Sequence, residues 1–365
     1  MTLYPKLITD ALEKVIYPGT KKSIIESEML ADTPSINGNK VSFTLIFPRE
    51  TDPFLKSTIK AAEAQIHYSV GKEVEVTIET EFKSAPRPEV GKLLPQVKNI
   101  IAVSSGKGGV GKSTVSANLA IALAKLGYKV GLLDTDIFGP SMPKMFGVED
   151  ARPYGVEKDG RQLIEPVEKY GVKLLSIGFF VNPDTATLWR GGMATSALKQ
   201  LIADADWGEL DYFILDTPPG TSDIHLTLMQ TLAITGAVIV STPQNVALAD
   251  ARKGIDMYRN DKVNIPILGL VENMAWFTPA ELPENKYYIF GKDGCKNLAK
   301  ELECPLLAQI PIVQSICENG DKGTPAATMT DTMTGQAFLS LAQAVVTVVN
   351  RRNKEQAPTK IVRTE

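Results

Sequence analysis

From residue 99 onward the chain repeats one kind of patterning: a short, unbroken apolar run, then a helical stretch. The runs are IIAVSS, KVGLLDTD, VKLLSIG, YFILDTPPG, AVIVSTP, PILGLVEN and PLLAQIP. A strand that is apolar along its whole length has to be covered on both faces, as strands are in a parallel sheet flanked by helices. Such strands alternating with helices predict a doubly wound, mostly parallel α/β domain over residues 99–352. The segment GQAFLSLAQAVVTVVNRR, with Phe338, Leu341, Val345 and Val348 on one side, is expected to be its closing helix. Residues 353–365 are polar and are expected to form a flexible tail.

Residues 1–84 have a different texture and predict a separate small α/β domain. ITDALEKVIY has helical spacing at Ile8, Leu12 and Val15, and KVSFTLIF alternates with Val41, Phe43, Leu45 and Phe47 on one face. A helix is expected to start near Asp52, and EVEVTIET alternates again. Between the two domains, residues 85–98 carry three prolines and little pattern, which predicts a linker.

Bulk properties exclude several classes. The net charge of −3 over 365 residues offers no broad basic field for nucleic acid or anionic lipid. No apolar run approaches a membrane span, and MTLYPKLITD lacks the pattern of a secretory signal. Three cysteines give no disulfide framework. A cytoplasmic protein with neither nucleic-acid nor membrane partners is the expectation.

The chemistry is concentrated in SSGKGGVGKST, residues 104–114. Gly106-Lys107-Gly108-Gly109-Val110-Gly111-Lys112-Ser113 fits G-x-x-x-x-G-K-[ST], with a β-type run before it and a helical pattern, including Thr114, after it. Glycines let backbone amides turn around phosphate oxygens, and the helix N-terminus adds partial positive charge. Lys112 is placed to reach the β- and γ-phosphates and Ser113 to bind Mg²⁺. Two further strands end in carboxylates: Asp134 and Asp136 in GLLDTDIFGPS, and Asp216 in YFILDTPPGTSD. Ligands of open α/β sheets bind at the carboxyl ends of strands, so these are candidate groups for Mg²⁺ and for an attacking water.

KGGVGKST resembles the deviant phosphate loop of the MinD/ParA-type ATPases, whose signature is an additional early lysine. DTDIFGPSMP, WRGGM, DTPPGTSD and VENMAWF resemble the Mrp/ApbC-type iron–sulfur cluster carriers, over residues 99–349. The N-terminal unit is similar to a small domain related to iron–sulfur assembly factors. The resemblance implies an ATP-hydrolysing homodimer that transfers iron–sulfur clusters to apoproteins or assists their assembly. It implies that Lys107 reaches across the dimer towards the partner's γ-phosphate, as a finger-type cation worth about 10³–10⁵ in rate. It further implies that Asp136 orients water, Asp216 holds Mg²⁺ through water, and Gly220 senses the γ-phosphate through its amide. Asn273 corresponds to an adenine-side asparagine, and QIPIVQSI to a base-flanking loop.

The family pattern breaks at the cluster ligands. A C-x-x-C pair is expected just after VENMAWF, yet no cysteine lies between Phe277 and Tyr287. The remaining thiols, Cys295, Cys304 and Cys317, have no metal-ligand spacing. Cys295 approaching its twin, oxygen ligands such as Glu281, or a protein without its own cluster all stay open. The N-terminal FPRETDP and YPGTK likewise lack the family's thiol and acidic turn at the matching places. His225 is read as a helix residue and Trp189, Trp207 and Trp276 as packing residues. Arg190 either touches phosphate or partner or makes a surface ion pair. The alternatives to a carrier are an ATP-gated scaffold without a cluster and a positioning ATPase of the MinD/ParA kind.

Overall fold

The computed structural model describes residues 3–27, 29–31, 33–47, 52–82, 93–158, 160–181, 191–279, 281, 282 and 284–362. The chain divides into two compact units, residues 1–89 and 90–365. Trp189 and Arg190, singled out above, lie outside the described residues, as do positions 48–51 of FPRETDP.

The first unit is built from α1 (Pro5–Leu12), a minute hairpin of β1 (Ile16–Tyr17) and β2 (Lys22–Ser23), β3 (Ser35–Asn37), β4 (Lys40–Phe47), α2 (Leu55–Val70) and β5 (Glu75–Phe82). β4 sits between antiparallel β3 and parallel β5, with α2 as the crossover. The alternation read along KVSFTLIF is real: Val41, Phe43, Leu45 and Phe47 are buried with Ile8, Leu12 and Ile66. The second helix begins at Leu55, three residues after Asp52. Asp52 instead closes the preceding turn, accepting from the Phe54 N–H at 2.8 Å and the Tyr17 hydroxyl at 2.5 Å.

In the second unit the chain continues as β6 (Val97–Ser104), α3 (Lys112–Lys125), β7 (Val130–Asp134) and α4 (Met142–Met145). A hairpin of β8 (Gly155–Lys158) and β9 (Arg161–Ile164) comes next, then β10 (Val167–Lys169), β11 (Val172–Ser176), α5 (Gly191–Ala203), β12 (Leu210–Asp216) and α6 (Asp223–Thr231). The remainder is β13 (Gly236–Ser241), α7 (Asn245–Arg259), β14 (Ile267–Phe277), α8 (Gly294–Glu301), β15 (Leu306–Ile312), α9 (Gln314–Asp321) and α10 (Met333–Glu355). The eight-stranded sheet runs β10-β11-β7-β12-β6-β13-β14-β15 and is parallel except for edge strand β10. All seven apolar runs are strands of this sheet. Two apolar layers cover its faces, as unbroken apolar strands require.

Three expectations need correction at the edges of this unit. β6 starts at Val97 and Leu94 is buried in the core, so the end of the expected linker 85–98 belongs to the domain. On α10 the inward position is Val349, while Val348 is only half-buried. The expected flexible tail 353–365 is fastened as far as Val362. Arg352 donates to the Ala357 carbonyl at 2.8 Å and the Thr359 hydroxyl at 2.7 Å, and the Val362 N–H donates to Met229 O at 2.9 Å. Val362 then packs into the core, a driving force its polar neighbours concealed. Among the described residues, no helix is long and apolar enough to cross a membrane.

Candidate functional site

The strand order places the site. β6 is flanked by β12 and β13, and β7 lies beyond β12, so the loops after β6, β7 and β12 open at one sheet end. The loop after β6 turns into α3 at Gly111, which has φ +83°, a left-handed conformation favouring glycine. A Cβ on Gly106 would collide with the α7 backbone at Asp250, so this glycine is required for close packing. The N–H groups of Lys112, Ser113 and Thr114 open α3 and have no partner within the helix, which suits an anion.

At the head of α3, one carboxylate gathers three side chains. Lys112 Nζ lies 2.7 Å from Asp216 Oδ1, the Ser113 hydroxyl donates to Oδ2 at 2.7 Å, and the Ser116 hydroxyl donates to Oδ1 at 2.5 Å. Lys112 and Asp216 are both buried. Ser116 was missed by motif reading, though it comes four residues after Lys112 and so faces the same side of the helix. The set Ser113 and Asp216 consists of hard oxygen donors and fits Mg²⁺.

Asp134 makes no hydrogen bond to this group among the described residues and is held by the loop that follows β7. Its carboxylate accepts from the N–H of Asp136 at 3.2 Å, of Ser141 at 3.1 Å and of Met142 at 3.2 Å, and from the Ser176 hydroxyl at 3.0 Å. Three of these donors crowd Oδ2 and one reaches Oδ1, so the carboxylate anchors the loop after β7 while Oδ1 keeps an acceptor position open. Burial, and then the negative charge of Asp216, push its carboxyl up to about 7. Asp136 is half-buried, accepts from the Gly139 N–H at 3.2 Å, and is raised mainly by burial.

Lys107 lies on the exposed rim of the loop. Its carbonyl accepts from the Ser105 hydroxyl at 3.0 Å, and no ion pair engages its amine among the described residues. The Gly220 N–H, expected to meet a γ-phosphate, donates to Ser105 O at 2.9 Å, so a phosphate oxygen would have to displace that bond. Asn273 is buried, and its amide donates to the Val110 carbonyl at 2.9 Å. Its visible contact is thus with the phosphate loop.

His225 sits at the third position of α6. Its Nδ1 accepts from the Ser222 N–H at 3.2 Å, completing a capping box. Its Nε2 is buried without a partner, and burial, then the Lys112 charge, lower its pKa to about 4.

The thiols are far from ligand-like. Cys295 is fully buried at the start of α8; its N–H donates to Glu272 Oε2 at 2.6 Å and its Sγ approaches Thr242 O at 3.8 Å. Burial, then the Glu272 charge, push its thiol well up from the ordinary range, opposite to what a thiolate ligand needs. It faces core, not a surface on which a twin could approach. Cys304 is half-buried and Cys317 exposed. Phe277 and Tyr287 exchange backbone hydrogen bonds of 2.8 Å and close a hairpin around the cysteine-free segment, which includes the exposed Glu281. No cluster of three or more His, Cys, Asp or Glu side chains suited to a metal occurs among the described residues. Trp207 is buried as expected, edge-on to Phe213 at 4.6 Å.

Fold and loop together define a P-loop NTPase of the doubly wound kind. Residues 96–346 match the family described as NUBPL iron-transfer P-loop NTPase, and residues 6–78 the family described as iron-sulfur cluster assembly protein. The chain therefore belongs to the iron-transfer P-loop NTPase family, with an iron–sulfur-assembly-type domain ahead of it. An iron-sulfur cluster carrier protein of Synechocystis is 42% identical over 349 residues, covering 93% of this chain and 97% of its own. An iron-sulfur cluster transfer protein of Dictyostelium discoideum is 43% identical over 283 residues, covering 76% and 86%. Among solved structures, a nucleotide-binding protein of Archaeoglobus fulgidus in complex with ADP is 36% identical, with TM-score 0.58, covering 69% of this chain and 96% of that one. The MinD protein of Pyrococcus horikoshii, at 23% identity and TM-score 0.50 over 70% and 99%, shares the fold.

Proposed function

We propose that this chain is an ATP-hydrolysing homodimer that serves the transfer of iron–sulfur clusters to apoproteins. The observation that carries the reading is the buried convergence of Lys112, Ser113 and Ser116 on Asp216 at a phosphate loop. Carriers named for clusters, alike over nearly the whole chain, support the cargo. Lys112 binds phosphate, and Ser113 and Asp216 hold Mg²⁺, which supplies charge neutralisation on the phosphate oxygens when bound. Asp136 holds the attacking water, its raised basicity suiting it to accept a proton. Lys107, exposed and unpaired by an acid among the described residues, acts on the terminal phosphate of a second copy. Steady-state ATP hydrolysis measured against protein concentration tests this: specific activity rises with concentration, and a flat profile sinks the dimer.

A second reading is favoured by one observation. The hairpin closed by Phe277 and Tyr287 contains no thiol and Cys295 is buried, so the chain has no C-x-x-C pair where the family places its shared cluster. It then acts as an ATP-gated scaffold whose partners hold the cluster. Anaerobic reconstitution with iron and sulfide separates the two: stoichiometric iron with a visible charge-transfer band supports the carrier, and a colourless dimer that still cycles ATP supports the scaffold.

A further inference from the structure

Of two consecutive residues of β14, the first holds the phosphate loop and the second reaches the space beside it, with a backbone conformation that strands do not use. The Asn273 amide holds the Val110 carbonyl at 2.9 Å, and a Cβ on Gly111 would collide with the same amide. The Met274 Cε lies 3.8 Å from where that Cβ would be. Met274 has φ +55°, a left-handed conformation that a non-glycine residue rarely adopts without being held there. The ladder to β15 is irregular at this point. Asn273 pairs with Ile310 and Phe277 with Ile312, so four steps on β14 are set against two on β15. The excess is a bulge, and bulges re-aim the chain beyond them. Here the re-aimed chain enters the hairpin closed by Phe277 and Tyr287, where Trp276 lies under the Lys286 ammonium at 4.0 Å.

We infer that Asn273 and Met274 are positioning residues that tie the geometry of the phosphate loop to the Phe277–Tyr287 hairpin, so that filling the loop is felt at the hairpin. The inference rests on the nucleotide-binding reading above. Its physical basis is that the clamp and the bulge are contiguous. A shift of the Val110 carbonyl pulls on Asn273, and the left-handed Met274 is the one joint between Asn273 and the paired residue Phe277 that the ladder to β15 leaves strained. Asn273 and Met274 are not placed here among the groups that touch reacting atoms.

The test is hydrogen exchange of the full chain, with and without Mg²⁺ and either ADP or a non-hydrolysable ATP analogue, read at peptides covering 106–111 and 277–287. In the wild type, nucleotide is expected to slow exchange several-fold in both. Met274→Gly accepts the left-handed backbone without strain and empties the space beside Gly111 that the Met274 side chain reaches. It is expected to stay folded and bind ADP, with the response at 106–111 kept and that at 277–287 lost. Met274→Leu, which keeps the bulk, is expected to restore the hairpin response. Asn273→Ala is expected to speed exchange at 106–111 before any nucleotide is added. A hairpin in Met274→Gly that responds like wild type overturns the inference, as does a silent wild-type hairpin while calorimetry shows ADP bound. If calorimetry shows no ADP binding to the wild type, the nucleotide reading falls first and this inference with it.

Discussion

Lys112 and Asp216 form a buried ion pair of 2.7 Å between the phosphate loop and the end of β12, with side chains 6% and 0% exposed. Removing one partner of such a pair costs about 3–5 kcal/mol, because the other charge is left uncompensated. Lys112→Met is therefore expected to lose binding of a fluorescent ADP analogue and also to lower the thermal midpoint. Adding Asp216→Asn removes the orphaned charge, so the double variant regains stability and still fails to bind. Lys112→Met with an undiminished midpoint would contradict the burial of the pair.

Lys107 differs from Lys112 in burial, and that difference divides their tasks. An exposed loop lysine adds little to folding or to ground-state binding. Lys107→Ala is expected to bind ADP as wild type does while turnover falls by about 10³ or more, the range of a finger-type cation. Adding equimolar Lys112→Ala protein, which keeps its own Lys107, is expected to restore part of the activity. Normal hydrolysis by Lys107→Ala alone rules out a cation supplied by the partner.

His225 titrates against folding. Its pKa is about 4 in the folded chain, below the ordinary histidine value, because burial and then the Lys112 charge disfavour the imidazolium. The unfolded state binds the proton first as pH falls, so the contribution is fully present above about 6.5 and is lost on the way to pH 4. At 1.36 kcal/mol per unit, the loss is of the order of 3 kcal/mol. His225→Gln keeps the capping acceptor at the third helix position. Urea denaturation at a series of pH values is expected to show a shallower acid slope for this variant than for wild type; parallel slopes would mean that the imidazole is not kept neutral.

How much of this was legible in advance divides along physical lines. Parallel strands covered on both faces leave an unmistakable apolar signature, and a phosphate loop is a local motif, so both could be read from neighbouring residues. What could not be read depended on distant partners. The hydrogen bonds that hold Asp134 come from N–H groups at 141 and 142 and a hydroxyl at 176, which no local pattern announces. The fastening of the tail rests on Val362 finding Met229, 133 residues away (362 − 229). Met274 gave no signal at all, since a left-handed non-glycine residue is imposed by the packing around it.

Thiol reactivity offers the last check, and it bears on the cargo. The three cysteines span the full range of accessibility: Cys317 exposed, Cys304 half-buried and Cys295 buried. Burial raises the Cys304 and Cys295 thiols, so both are poor nucleophiles as well as shielded ones. Alkylation of the native chain under anaerobic conditions is expected to modify Cys317 first, Cys304 slowly, and Cys295 only when urea opens the domain, as mapped by peptide mass spectrometry. Cys295→Ala is then expected to leave iron retention after reconstitution unchanged, at a modest stability cost for a small cavity. Fast native labelling of Cys295, or loss of iron in Cys295→Ala, would return that thiol to the ligand set and require the start of α8 to open.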